Sequence, residues 1–197
     1  MIKYDIIYTN MKYMEHNNCL KGEIKMNPIV SIEMNNNKNI KIELYPDIAP
    51  NTVKNFVSLV NKGFYNGIIF HRVIPGFMIQ GGCPNANGMG GPGYSIKGEF
   101  KTNGFNNELK HTEGVLSMAR TMQPNSAGSQ FFIMVDDAPH LDGQYAAFGK
   151  VIEGLDVVKE IVSVDRDFRD KPLEDQVMKT VTVDTFGEKF DEPETLS

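Results

Sequence analysis

The sequence has few cysteines and no long hydrophobic run, and both absences narrow the class of protein. Only two cysteines, Cys19 and Cys83, occur among its 197 residues. They form no Cys-x-x-Cys pair, which favours a reducing compartment over a disulfide-stabilised secreted domain. No apolar stretch approaches the roughly 20 residues of a transmembrane helix. Residues 1–25 also lack the apolar centre of a signal peptide. We therefore expect a cytoplasmic protein.

Acidic residues outnumber basic ones, which argues against binding of nucleic acid or of a membrane surface. The chain has 20 Lys and Arg against 25 Asp and Glu, a net charge of -5. It has no overall positive field to attract nucleic acid or a membrane surface, so neither is an expected partner. A chain of this size can bury a core without disulfides. We expect one globular domain that acts as a monomer.

Short alternating segments dominate the middle of the chain. Residues 29–34 and 40–44 alternate between apolar and polar side chains around an Asn-rich turn, which predicts a β-hairpin. A helix should begin at Pro50, with a second from about Gly154. Many short strands and two helices favour a closed antiparallel barrel over a βαβ sheet. Further strands are predicted at residues 68–73, 78–81, 114–119, 130–135, 146–151 and 177–186.

The two ends of the chain differ from the middle, residues 26–187, which we interpret as the folded domain. Residues 1–25 are polar and aperiodic, and we predict either a disordered tail or a mis-called extension. The second alternative rests on residues 21–23, whose codons can resemble a bacterial ribosome-binding site shortly before Met26. Residues 188–197 form an acidic C-terminal tail, which we expect to be frayed.

The most informative segment is residues 70–82, FHRVIPGFMIQGG. Arg72 lies on a predicted strand, and after a Pro-Gly turn Met78 and Gln80 share one face of the next strand. A cation and an amide are thus expected beside an apolar wall that includes Phe77. Taken alone, the pattern also fits a surface arginine whose alkyl stem covers a core side chain.

Several segments in the same order resemble the cyclophilin family. They are residues 51–56 (NTVKNF), 63–65 (GFY), 70–82, 114–120 (GVLSMAR), 124–133 (PNSAGSQFFI) and 141–151 (LDGQYAAFGKV). The resemblance covers about residues 27–186 and is most like bacterial single-domain cyclophilins. It implies an eight-stranded antiparallel β-barrel capped by two α-helices. It also implies peptidyl-prolyl cis-trans isomerase (rotamase) activity that assists protein folding, without metal or cofactor. The implied partners are proline-containing peptides and unfolded or folding proteins.

The resemblance also implies the site residues. Arg72 corresponds to the catalytic arginine, with Gln80 beside it, and His71 lies at the rim of the groove. The wall of the proline pocket corresponds to Phe77, Met78, Phe132 and Leu141. The remaining substrate-binding positions are Ala119, Arg120, Gln130, His140 and Tyr145.

Three of these positions depart from the best-known eukaryotic cyclophilins. His140 stands where those proteins have a tryptophan whose indole N–H donates to cyclosporin, so we expect cyclosporin to bind weakly. Tyr145 replaces a histidine and keeps a flat ring that can donate a hydrogen bond. Arg120 replaces an asparagine of which the family uses the main chain, so the substitution leaves the expected role intact.

Other chemistries fit the sequence less well. Residues 88–93 match G-x-G-x-x-G by letter, but no helix can begin within them, so we expect a loop. The four histidines lack metal-ligand spacing. Ser117, Ser126 or Ser129 with His71 or His111 could suggest a hydrolase, but the G-x-S-x-G motif is absent. Two alternatives stay open: a non-catalytic module that binds proline-containing segments, and a general chaperone with exposed apolar surface.

Overall fold

A computed structural model describes residues 26–196 of the chain. The predictions made for residues 1–25 lie outside this range. Within it, neither α-helix is long and apolar enough to cross a membrane.

Nine antiparallel strands form one sheet that curls into a nearly closed barrel. In spatial order they are β3, β9, β1, β2, β8, β6, β7, β5 and β4. The two strands at the ends of this order are joined by His71 alone, so the sheet almost meets itself. The strands are β1 (Ile29–Met34), β2 (Asn39–Leu44), β3 (Ile69–Phe70), β4 (Arg72–Ile74), β5 (Met78–Gly81), β6 (Val115–Met118), β7 (Phe131–Met134), β8 (Ala147–Glu153) and β9 (Gln176–Asp184). The predicted mainly-β barrel is confirmed.

The count of nine rather than eight arises because the predicted strand at residues 68–73 is broken at His71. Phe70 pairs with Gln176 of β9, whereas Arg72 pairs with Gln80 of β5. Phe70 is fully buried among the core residues, while the Arg72 side chain is 43% exposed. The chain therefore changes partner strands between these residues, and Arg72 emerges on the outer face of the barrel.

Two helices pack on the barrel, in agreement with the sequence patterns. The first, α1 (Pro50–Asn61), has proline in its first turn, where a missing N–H costs no helical hydrogen bond. Its Phe56 ring lies 5.3 Å from the rings of both Phe131 and Phe148 inside the barrel. The second, α2 (Leu155–Val162), buries Val157, Val158, Ile161 and Val162.

The acidic C-terminal segment, expected to be frayed, lies instead along α1. The Glu192 carboxylate accepts a hydrogen bond from Ser58 at 2.8 Å and pairs with Lys62 at 2.8 Å. The main chain of Glu194 exchanges two hydrogen bonds with the side chain of Asn51. The region of α1 therefore supplies the hydrogen-bond donors and the lysine that hold the acidic segment. Composition alone does not predict this contact.

Candidate active site

One row of paired residues across neighbouring strands builds the site. Arg72 on β4 is paired with Gln80 on β5, Gln80 with Phe132 on β7, and Phe132 with Ser117 on β6. Residues directly opposite each other on adjacent strands point to the same face of a sheet. The register therefore places a guanidinium, an amide and an aromatic ring side by side on the outside of the barrel.

An apolar slot of about 260 Å³ opens on this face. Its floor is buried: Met78 is 2%, Phe132 6% and Leu141 7% exposed. Arg72, Gln80, Arg120 and Tyr145 supply the polar and cationic groups of the lining. The slot is lined by Arg72, Phe77, Met78, Gln80, Ala119, Arg120, Phe132, Leu141 and Tyr145. A small apolar ring can enter it with a cation and hydrogen-bond donors at its mouth.

Gln80 and Gln130 lie between this slot and a second cavity. The side-chain amide of Gln80 donates to Gln130 at 3.0 Å. Gln130 in turn donates to the carbonyls of Gly88 and Gly90 at 2.8 and 2.9 Å. The glycine-rich segment 88–93 is thus an irregular loop, as expected, and its main chain is held against the site. Gln130 lines the second cavity, of about 430 Å³, with Gln80 shared between the two.

Arg120 contributes its side chain as well as its main chain, which sequence reasoning missed. Its guanidinium carbon lies 4.5 Å from the centroid of the Tyr145 ring and 5.0 Å from that of Phe100. Two of its nitrogens donate to the Gln144 carbonyl, at 2.8 and 3.1 Å. Cation–π contacts of this kind stabilise the edge of a pocket. Arg120 thereby fixes the Tyr145 ring at the mouth of the slot.

Two predicted site histidines are not among the residues that line the slot. His140 is exposed and stacks on Phe77, with ring centroids 5.8 Å apart. His71 is only 6% exposed, and a Cβ on Gly88 would lie 3.7 Å from its Nε2. Burial, assisted by the charges of Arg72 and Lys171, lowers the pKa of His71 to about 4. The structure therefore places His71 as a neutral buried group behind the glycine-rich loop and not at the rim.

His111, Ser117 and Asp142 come together below the slot. His111 Nε2 lies 3.0 Å from Ser117 Oγ, and its Nδ1 lies 3.2 Å from Asp142 Oδ1. This connectivity is that of a serine-hydrolase triad. Ser117 is nevertheless 0% exposed and His111 1%, so a substrate carbonyl has no access to the hydroxyl. The group is a buried support beneath Phe132, whose ring is stacked on that of His111.

An acidic residue that sequence reasoning missed lies next to Arg72. Asp170 belongs to the loop between α2 and β9, and its Oδ2 lies 3.9 Å from Arg72 Nε. The main-chain carbonyl of Asp170 also accepts a hydrogen bond from Val73 N–H at 2.8 Å. No local pattern links this loop to β4, since the contact depends on the path of the chain around the barrel.

The chain is similar to several known proteins. The family model described as "Cyclophilin type peptidyl-prolyl cis-trans isomerase/CLD" matches residues 29–183. Peptidyl-prolyl cis-trans isomerase B of Bacillus subtilis is 51% identical over 126 residues, 64% of this chain and 85% of that protein. The peptidyl-prolyl cis-trans isomerase of Helicobacter pylori is 48% identical over 132 residues, covering 66% and 78%. A Cryptosporidium parvum cyclophilin crystallised in the presence of the dipeptide Ala-Pro superposes with a TM-score of 0.72 at 36% identity, covering 79% of this chain and 98% of that one.

Proposed function

This chain belongs to the cyclophilin family and is a peptidyl-prolyl cis-trans isomerase, and from that premise we propose that Arg72 catalyses the rotation without covalent chemistry. The proposed substrates are proline-containing peptides and folding proteins. The observation that carries the proposal is the row of paired residues from Arg72 through Gln80 to Phe132. It supports a single site in which an apolar slot and a hydrogen-bond donor act on the same residue of the substrate.

The reaction makes modest chemical demands. A peptide bond resists rotation because the nitrogen lone pair is shared with the carbonyl, which gives a barrier of ~18–20 kcal/mol. Xaa-Pro bonds populate both isomers, but they exchange in tens to hundreds of seconds. Because no covalent bond breaks, neither a nucleophile nor a redox group is required. The site needs to hold the proline and to bind the twisted bond more tightly than the planar one.

The apolar slot is proposed to hold the pyrrolidine ring. Met78, Phe132 and Leu141 form its buried floor, and Phe77 is another lining residue. Aromatic and thioether surfaces suit a saturated ring, and removing that ring from water supplies binding energy. The ring is then fixed while the preceding residue turns. The slot accounts for substrate affinity and for the preference for proline.

Arg72 is proposed to supply the differential binding. Its guanidinium is charged at any working pH and offers N–H donors in a rigid fork. A hydrogen bond from it to the proline carbonyl, or to the nitrogen lone pair as conjugation is lost, is stronger in the twisted state. Each tenfold acceleration requires ~1.4 kcal/mol. One hydrogen bond to a charged group contributes about 1.5–3 kcal/mol, so fixed geometry and exclusion of water must add to it.

The substrate main chain is proposed to be held by Gln80 and by the main chain near Ala119 and Arg120. The Gln80 amide is oriented in advance by its hydrogen bond to Gln130. Ala119 N–H is occupied by the Gln130 carbonyl, so the segment is fixed before substrate arrives. Orientation of this kind reduces the entropy lost on binding.

The test is the exchange rate of a short Xaa-Pro peptide, measured by NMR for the wild-type protein and for Arg72→Ala. We expect Arg72→Ala to lose most of the catalysed rate while its circular dichroism and thermal unfolding stay unchanged, because Arg72 lies on the outer face of the barrel. Equal rates for the two proteins would refute the proposed role of Arg72. Peptide binding without catalysis by the wild-type protein would identify a binding module instead.

A further inference from the structure

We propose that Asp170 is a positioning residue for Arg72, which rests on the proposed role of Arg72 in catalysis. The inference starts from a tight turn at residues 167–171, in the loop between α2 and β9. Asp167 N–H donates to the Lys171 carbonyl at 2.8 Å, and Asp170 N–H donates to the Asp167 carbonyl at 3.0 Å. The Asp167 carboxylate accepts the N–H groups of Arg169 and Lys171 at 2.8 and 3.0 Å. The turn is therefore closed on itself.

Asp170 occupies a special position in this turn. Its φ of 63° lies in the left-handed region, which aspartate and asparagine adopt more readily than most residues. Its carbonyl accepts the Val73 N–H at 2.8 Å, next to Arg72 in the chain. The turn is thus attached by its main chain to the strand that carries the catalytic arginine. The main chain of Asp170 is thereby held beside that strand.

The Asp170 carboxylate lies on the Nε side of the Arg72 guanidinium. Asp170 Oδ2 lies 3.9 Å from Arg72 Nε, while Asp170 Oδ1 accepts a hydrogen bond from Arg166 Nε at 3.3 Å. An interaction at Nε leaves the two terminal nitrogens of Arg72 for the substrate. An arginine side chain has several rotatable bonds, and an anchor at Nε reduces the freedom that is lost when the terminal nitrogens engage substrate.

The pair is partly open to solvent, which limits the size of the effect. The Arg72 and Asp170 side chains are 43% and 34% exposed, and ion pairs in such settings are weak. We therefore expect Asp170→Asn to lower kcat by about two- to fivefold. KM should stay unchanged, because the apolar slot is not altered. Asparagine tolerates the left-handed conformation, and the main-chain hydrogen bonds of the turn are kept.

A matched control removes the same charge from the same loop. Asp165 is exposed, and its main-chain carbonyl, not its carboxylate, accepts the hydrogen bond from Leu173. Asp165→Asn should leave kcat and KM at their wild-type values. A second comparison places Asp170→Asn in an Arg72→Ala background. If Asp170 acts through Arg72, the residual rate should not fall further there.

The experiment measures Xaa-Pro exchange by NMR for wild type, Asp170→Asn, Asp165→Asn, Arg72→Ala and the double variant. The expected result is that, of the two aspartate substitutions, only Asp170→Asn lowers kcat, and only where Arg72 is present. An unchanged kcat, or an equal loss in the Arg72→Ala background, would overturn the positioning role. A wild-type rate in Arg72→Ala would instead refute the proposed role of Arg72, so the two failures are distinguishable.

A measurement on the wild-type protein decides the case even if Asp170→Asn folds poorly. The Nε–H bond of Arg72 should show more restricted motion in 15N relaxation than that of Arg169, whose guanidinium lies over the exposed Phe168 ring. Equal mobility of the two guanidinium groups would show that Asp170 does not hold Arg72.

Discussion

The rings of His111 and Phe132 are stacked, with centroids 6.1 Å apart and planes inclined by 19°. His111 is itself held by Ser117 on one side and Asp142 on the other. The aromatic floor of the proline slot therefore rests on a buried polar network. Substitutions in that network should therefore alter the slot by shifting the Phe132 ring.

The variant His111→Phe tests separately the two interactions of His111, its stacking on Phe132 and its hydrogen bonds. The variant keeps an aromatic ring beneath Phe132 but leaves the fully buried Ser117 hydroxyl without the imidazole. An unsatisfied buried polar group costs about 1–3 kcal/mol, and we expect a loss of this size in chemical denaturation. The loss of kcat/KM should be smaller than in His111→Ala, which also removes the ring. Identical activities for the two variants would contradict a role for the stack.

The stability of the protein should fall as the pH is lowered from about 6.5 towards 4. Burial lowers the pKa of His71 to about 4 and lowers that of His111, whereas the unfolded value is about 6.5. The unfolded chain therefore binds protons first, and stability present above pH 6.5 is lost as the pH falls through the folded pKa. His71 alone accounts for roughly 3 kcal/mol of this loss of stability.

The measurement is urea denaturation at several pH values between 4 and 7.5. His71→Leu should flatten the slope because it removes one of the two histidines that are buried among residues 26–196. His140→Gln is the control, since His140 is exposed on the surface. A slope in His71→Leu as steep as that of wild type would argue against the buried neutral state.

Phe132→Leu tests the apolar floor. Leucine keeps most of the apolar volume, so the cost in stability should stay below about 1.5 kcal/mol. It removes the flat surface that the proline ring is proposed to contact, and we expect KM to rise several-fold. Peptide titration by NMR measures the affinity. A variant that binds the peptide as tightly as wild type would show that the slot does not hold proline.

Deletion of residues 188–197 tests the docking of the C-terminal segment on α1. Phe190 packs against the main core, and Leu196 pairs with Ser95. Loss of these contacts should lower stability by about 1–2 kcal/mol, while kcat/KM stays unchanged because the segment is not part of the slot lining. Glu194→Gln is the control, since its main chain makes the contact with Asn51. An unchanged melting temperature after deletion would contradict the docking.

His140→Trp should strengthen the binding of cyclosporin. The best-known eukaryotic cyclophilins have a tryptophan at the corresponding position, whose indole N–H donates to the drug. His140 is exposed beside Phe77, so a larger ring can be accommodated there. One added hydrogen bond is worth about 0.5–1.5 kcal/mol, which corresponds to a two- to tenfold lower Kd. Isothermal titration checks this, with His140→Gln as the comparison. Equal affinities for the two variants would rule out the indole as the missing donor.

The candidate site was largely predictable from segments of the sequence that resemble a family. Arg72, Phe77, Met78, Phe132 and Leu141 all line one slot. His71 and His140 were expected at the groove, but they are not among the residues that line the slot: His71 is buried, and His140 is exposed against Phe77. Asp170, the stacking of Arg120 and the network of Ser117, His111 and Asp142 were not predicted.

The sequence by itself determined the local elements. Alternation at residues 29–34 and 40–44 specified the hairpin of β1 and β2, and Pro50 set the start of α1. These features depend on backbone periodicity and steric preference, which act over a few residues. Only the tertiary structure decided the break at His71, the approach of Asp170 to Arg72 and the docking of the acidic tail. Each of these needs distant segments to meet, and the path of the chain around a closing barrel sets which side chains come within reach.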